Sequence, residues 1–190
     1  MNSRALLFVH KPRPLYRLAF IYAVAWGMPL LTVAPALSQP SGQEVVSPEA
    51  DKQAEAERNR DIVRRAFEAW ANGESVFNDL LADDVVWTIH GSDPVAGTYN
   101  GRKDFVSRAS APLVRRLQTP VVPEVHAIWA EGDVVIVRFD GSATTTSGAP
   151  YRNEFVWIFW MKKGVVTRAE AFLDLAAYRE AVSSNEPKEG

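Results

Sequence analysis

Six side chains in this sequence have the type and spacing for proton transfer. His90 ends the run Trp87-Thr88-Ile89-His90, and Asp93 follows in Gly91-Ser92-Asp93-Pro94. Histidine titrates near neutral pH, so at the mouth of a pocket His90 serves as a general base or acid, with Asp93 in support. In the other reading His90 is a polar residue bonded to the adjoining turn and Asp93 is a turn residue. Arg138-Phe139-Asp140 and Arg152-Asn153-Glu154 each set an arginine and a carboxylate two apart, hence on one strand face. In a dry pocket, arginine holds such a carboxylate ionised and aimed. On a half-exposed face the four form an ion-pair lattice. A register with Arg138 opposite Glu154 and Asp140 opposite Arg152 brings unlike charges together, and a slip of two either way opposes like charges.

The ligand-binding candidates are Trp70, Trp87 and Tyr99 as an aromatic wall, with Arg152 and Glu154 as polar contacts. Such a wall favours a small apolar or aromatic molecule. His126 and Glu124 share a strand face, but beyond residue 38 the chain has two histidines and no cysteine, so no metal site is expected. Neither a Gly-x-Ser-x-Gly elbow nor a phosphate-binding Gly-x-x-x-x-Gly-Lys loop occurs, and no organic cofactor is implied.

The first 38 residues carry Arg4, Lys11, Arg13 and Arg17, no acidic residue, and the apolar run Leu18 to Ala34. This is the pattern of an export signal, with small residues for cleavage near Ala36 or Ser38. Gly27 and Pro29 interrupt the run, whose length is marginal for a membrane span, so no stable anchor is expected after cleavage. The expected location is periplasmic or secreted. Removing the segment leaves 17 basic against 23 acidic side chains, a formal charge of −6, which disfavours nucleic acid as a partner. Residues 39–56 read as a flexible linker, although Ser47-Pro48 is able to start a helix.

Beyond it, Ile62, Val63, Ala66, Phe67 and Trp70 recur at helical spacing, and Asn72-Gly73 stops that helix. A short helix through Phe77 and Leu80, a strand Val85 to Ile89, and a third helix from Gly101 kinked or ended near Pro112 follow. Four strands then form an antiparallel meander: Val121 to Trp129, Val134 to Ser142, Tyr151 to Met161 and Val165 to Leu173. A short helix, Leu175 to Val182, capped by Asp174, and a polar tail over 184–190 close the chain. This order predicts an α+β fold with N-terminal helices packed on one face of a curved antiparallel sheet. In the third meander strand, Phe155, Trp157 and Phe159 face one way while Val156, Ile158 and Trp160 face the other. Helices cover only one side, so a homodimer through the other sheet face is expected.

The segment Ile62-Val63-Arg64-Arg65-Ala66-Phe67-Glu68-Ala69-Trp70-Ala71-Asn72-Gly73, Asp83-Asp84 before the first strand, Gly97-Thr98-Tyr99-Asn100-Gly101-Arg102, and Phe172-Leu173-Asp174-Leu175-Ala176-Ala177-Tyr178 together resemble the SnoaL-like branch of the NTF2-like superfamily over residues 57–183. The resemblance implies a cone of curved sheet closed by helices, a deep apolar pocket and dimerisation through the sheet. In the ketosteroid isomerase relatives, the tyrosine and aspartate of the oxyanion hole correspond to Ala66 and Val156, and the base to Ile89 or His90. In the limonene epoxide hydrolase relatives, the Arg-x-Asp pair corresponds to Arg138-Phe139-Asp140, and the second aspartate to Ala171. Three functions follow: an exported domain that binds a small apolar molecule and transfers a proton through His90, a non-catalytic ligand carrier or assembly module, or water addition to an epoxide.

Overall fold

Ser47 opens the first helix: its backbone is extended and its Oγ accepts from the Ala50 N–H at 3.2 Å, with Pro48 at the first helical position. The computed structural model describes residues 47–188, so the expected export leader and residues 39–46 lie outside the described residues. Helix α1 (Pro48–Ala71) buries Ala56, Asn59, Val63 and Phe67. Residues 48–56, expected as the end of a flexible linker, are helical. The helix stops at Asn72-Gly73, where Gly73 takes φ +96° and donates its N–H to Trp70 O at 2.9 Å.

The chain continues through α2 (Val76–Leu80), β1 (Leu81–Ile89), β2 (Gly97–Asn100), α3 (Arg102–Phe105), a π-helical turn Val106–Ser110 and α4 (Ala111–Val114). Pro112 has no N–H to give to the preceding turn, and the widened π turn lies immediately before it. Then come β3 (Val122–Glu131), β4 (Val134–Thr144), β5 (Pro150–Lys162), β6 (Val165–Leu173) and α5 (Leu175–Ser183). Asp174 caps α5 as expected, its Oδ1 accepting from Ala176 N at 2.9 Å and Ala177 N at 3.2 Å. Beyond α5, the Thr146 hydroxyl donates to Glu186 O at 2.7 Å and Lys188 N donates to Arg115 O at 2.7 Å, which ties the polar tail down.

The sheet is curved and open, with strand order β2-β1-β6-β5-β4-β3. The meander β3 to β6 is antiparallel, as expected, but β1 joins β6 in parallel, so the sheet is mixed. Hairpin turns force consecutive meander strands to alternate in direction, whereas no turn links β1 to β6. Between the first strand and Gly101, where the sequence reading placed no element, β2 is a four-residue edge strand pairing Tyr99 with Trp87.

Odd-numbered residues of β4 and β5 are buried beneath the helices, from Val135, Val137 and Phe139 to Phe155, Trp157 and Phe159. Even-numbered ones face outward. The β4–β5 register differs from the expected one by two residues: Arg138 lies opposite Val156, Asp140 opposite Glu154 and Ser142 opposite Arg152. Packing on the helix side decides the matter. Phe139 pairs with Phe155, their rings stacked at 4.7 Å and 7°, and Val137 pairs with Trp157. A Cβ at Gly141 would come within 2.9 Å of the Phe155 ring, so glycine is what lets that ring lie there. Aromatic burial outweighs cross-strand ion pairs of about 0.2–1 kcal/mol. Arg138 also relieves the like-charge contact, bonding Asp140 on its own strand and reaching Glu154 at 3.4 Å.

Candidate functional site

On the helix side of the sheet lies an apolar cavity of about 360 Å³. Trp70 enters it from α1, Phe77 from α2, Trp87 and Ile89 from β1, Phe105 from α3, and Trp157 from β5. Trp157 is the hub: its ring centroid lies 5.1 Å from Trp87 and 4.7 Å from Phe139, both edge-on, and 5.8 Å from Trp70 at 5°. Trp87 stacks on Phe105 at 4.1 Å. Ala109 on the π turn and Ala171 on β6 keep space open where larger side chains would close it.

No described side chain lining this cavity is an aspartate, glutamate, histidine, lysine or arginine. Its polar groups are Ser75, Asn78, Ser110, Tyr178 and the indoles of Trp70, Trp87 and Trp157. The Tyr178 hydroxyl donates to Ala109 O at 2.8 Å, and burial pushes its pKa up to about 12. The size is that of a small-molecule pocket, and the lining favours an uncharged occupant.

The expected proton-transfer residues lie elsewhere. His90 is outside this lining: Trp87 and Ile89 occupy the inward positions, and the next residue turns to the outer sheet face. There its ring stacks on Phe172 at 4.5 Å and 6°, and Nε2 lies 3.1 Å from Glu170 Oε2. The Arg168 guanidinium beside Glu170, and then His90, hold that carboxyl below its ordinary range. Asp93, with a side chain 6 % exposed, accepts from Arg179 on α5 at 3.0 Å and from Val95 N at 3.3 Å. That is the turn role, and it does not touch His90. Tyr99 does not line the cavity; it is buried and donates to Val95 O at 2.6 Å. Of the expected ligand contacts, Trp70 and Trp87 line the apolar cavity.

Arg138, Asp140, Arg152 and Glu154 line a second hollow, an open groove of about 870 Å³ on the outer sheet face. It is the charged lattice of the two sequence readings, not a dry site beneath the helices. Arg138, hydrogen-bonded to Asp140, is the main reason that carboxyl sits below its ordinary range. His126 adds to it: a bulge in β3 between Val125 and Ala127 brings His126 Nε2 within 2.9 Å of Asp140 Oδ2. Arg138 and Asp140 line the outer groove while Ala171 lines the inner cavity, so the epoxide hydrolase arrangement is not assembled.

Sequence reasoning missed Phe105, Ala109, Leu113 and Ala171 as cavity residues, and Glu170 as the partner of His90. Strand alternation carried forward from Ala169 would have put Ala171 inside and Glu170 outside.

Residues 63–169 match the family described as the SnoaL-like domain. No curated protein matches the chain. Several solved structures share its fold at low identity. Bal32a, from a soil-derived mobile gene cassette, is 22% identical with TM-score 0.55, the match covering 66% of this chain and 97% of Bal32a. A putative SnoaL-like polyketide cyclase from Jannaschia sp. CCS1 is 20% identical with TM-score 0.54, covering 74% of this chain and 97% of the other. AclR, a putative hydroxylase from Streptomyces galilaeus, is 15% identical with TM-score 0.55, covering 70% and 86%.

Proposed function

Since the chain belongs to the SnoaL-like domain family, we propose that it binds a small, flat, apolar molecule in the cavity beneath its helices and acts as a ligand carrier rather than a proton-transfer enzyme. The observation that carries this reading is the lining itself: about 360 Å³ walled by aromatic rings, with no Asp, Glu, His, Lys or Arg among the described lining residues and with its one tyrosine, Tyr178, donating its hydroxyl to Ala109 O and pushed by burial up to about 12. Acid–base catalysis requires a titratable group within hydrogen-bond reach of the reacting atom. His90 is bonded to Glu170 on the other side of the sheet, which argues against proton transfer by His90 to or from a molecule in the cavity.

The test is a titration with the neutral dye N-phenyl-1-naphthylamine, whose emission rises in apolar surroundings. The wild-type protein is expected to bind it, and His90→Ala to bind it within about twofold of wild type, because surface changes away from a site leave its energetics nearly intact. A tenfold loss in His90→Ala, or no binding by the wild type, contradicts the reading.

Export and dimerisation complete it. Residues 1–38 act as a cleaved leader to the periplasm or exterior, and the mature chain pairs through the outer sheet face. Two features favour that face: Ile136, Val156, Ile158 and Trp160 are only half-buried on it, and Phe172 is 44 % exposed. One native mass spectrum of protein recovered from its exporting host reads both. A dimer of chains beginning near residue 37 or 39 is expected, whereas full-length monomer contradicts both parts.

A further inference from the structure

Among the described residues that line the inner cavity, four are exposed: Ser75 and Asn78 at α2, and Val114 and Pro120 at and beyond the end of α4. The cavity therefore reaches solvent between α2 and α4. The α4 side of that mouth is pinned. Arg116 donates to Pro112 O at 2.9 Å and to Asn185 O at 3.0 Å, the buried Tyr178 hydroxyl holds Ala109 O, and Leu117, 1 % exposed, packs with Tyr151 and Ala181.

The α2 side is held differently. α2 has five residues, too few to persist as a helix by itself, and Ser75 before it makes no side-chain cap bond. Gly73, which leads to it from α1, has open space where a Cβ would stand. Arg102 supplies the hold from outside. Its guanidinium donates to the Phe77 carbonyl at 3.4 Å and to the Asn78 carbonyl, and it pairs with Asp83. A cation is favoured at the carbonyl end of a helix. The base of this arm is fixed, because Gly101 N donates to Val85 O on β1 at 2.8 Å. Phe77, the residue Arg102 grips by its carbonyl, is a wall of the cavity, edge-on to Phe105 at 5.1 Å and to Trp87 at 5.8 Å.

We infer that α2 is the gate of this cavity and Arg102 its latch: release of the two carbonyls frees α2 to swing about Gly73 and carry Phe77 away from Phe105, which widens the mouth. This rests on the proposed binding reading and adds the route of entry. Val76 on α2 is 4 % exposed, and its exposure on opening keeps the open state a minor one. Arg102 does not line the cavity, so it is a positioning residue that governs exchange rather than contact with the bound molecule. When a site admits its ligand only in a minor open state, entry and exit both scale with the open fraction, and the affinity changes little.

Stopped-flow mixing with N-phenyl-1-naphthylamine reads both rates. In Arg102→Met, which keeps an unbranched side chain but donates nothing, the association and dissociation rate constants are each expected to rise at least about fivefold, the worth of one net hydrogen bond, while the affinity stays within about twofold of wild type. A dissociation rate that rises alone, or two rates that stay at the wild-type values, overturns the inference and leaves the apolar cavity standing. Should Arg102→Met fail to fold, Asp83→Asn carries the test. The Asp83 side chain is 89 % exposed, and loss of its ion pair with Arg102 is expected to raise both rates about twofold, with unchanged rates overturning the inference. If the wild type binds no dye, the cavity reading falls together with the inference.

Discussion

Trp157→Ala is expected to lower the free energy of unfolding by about 3–5 kcal/mol, the range for deleting a large aromatic side chain from a packed core. Trp157 is 5 % exposed and lies within ring-contact distance of Phe67, Trp70, Phe77, Trp87, Phe139, Phe155 and Phe159. Those rings come from α1, α2, β1, β4 and β5, so one truncation loosens the helix layer from the sheet. The same change widens the cavity whose wall Trp157 forms, and dye affinity should fall with stability. Trp129→Ala supplies the contrast. Trp129 is 56 % exposed at the outer edge of β3, and its loss should stay within about 0.5 kcal/mol. Urea midpoints for the two variants check this, and a Trp157→Ala loss below 1 kcal/mol would mean that the aromatic cluster is not the core.

The second large effect lies at high pH. Burial pushes Tyr151 and Tyr178 up to about 12, from an ordinary tyrosine value near 10. A group whose pKa is raised on folding contributes its full stability below the unfolded pKa, and that contribution is lost as pH rises through the folded one. The window is therefore pH 10 to 12, and the loss is at most about 2.7 kcal/mol for each tyrosine, two pKa units at about 1.36 kcal/mol each. The urea midpoint should hold steady up to about pH 10 and then fall. In Tyr178→Phe, which loses one of the two groups and also its bond to Ala109 O, the starting midpoint should be lower and the alkaline fall about half as steep. A midpoint that stays flat to pH 12 would contradict the burial of both phenols. The acid limb has the opposite sign: Asp140 and Glu170 are held below their ordinary values, so their contribution is complete above about pH 5 and fades as pH drops.

Local signals in the sequence carried much of the fold. Asn72-Gly73 ends α1, Asp174 caps α5, and the two-sided apolar pattern of β5 marks a buried face and a half-covered one. These features depend on a few neighbouring residues and their hydrogen-bonding needs, so they are readable in one dimension. Register is different. Charges at 138, 140, 152 and 154 suggested one pairing, but the ring of Phe155 over Gly141 and against Phe139 enforces another. That contact exists only once two strands meet.

The cavity was half legible for a similar reason. Trp70 and Trp87 announce themselves as large aromatics, whereas Ala109 and Ala171 matter through the space they leave, and small residues give no pattern of their own. The type of His90 suits proton transfer, while its position, one residue beyond inward-facing Ile89, sends it to the face away from this cavity, which residue type alone does not reveal.

The proposed small-molecule site lies beneath the helices and not in the charged outer groove. Intermolecular nuclear Overhauser effects from bound N-phenyl-1-naphthylamine to assigned methyl groups measure this directly. Cross-peaks to Ile89, Val106 and Leu113, which line the inner cavity, are the expected result. Cross-peaks confined to Val156 in the outer groove, with none to those three, would contradict it.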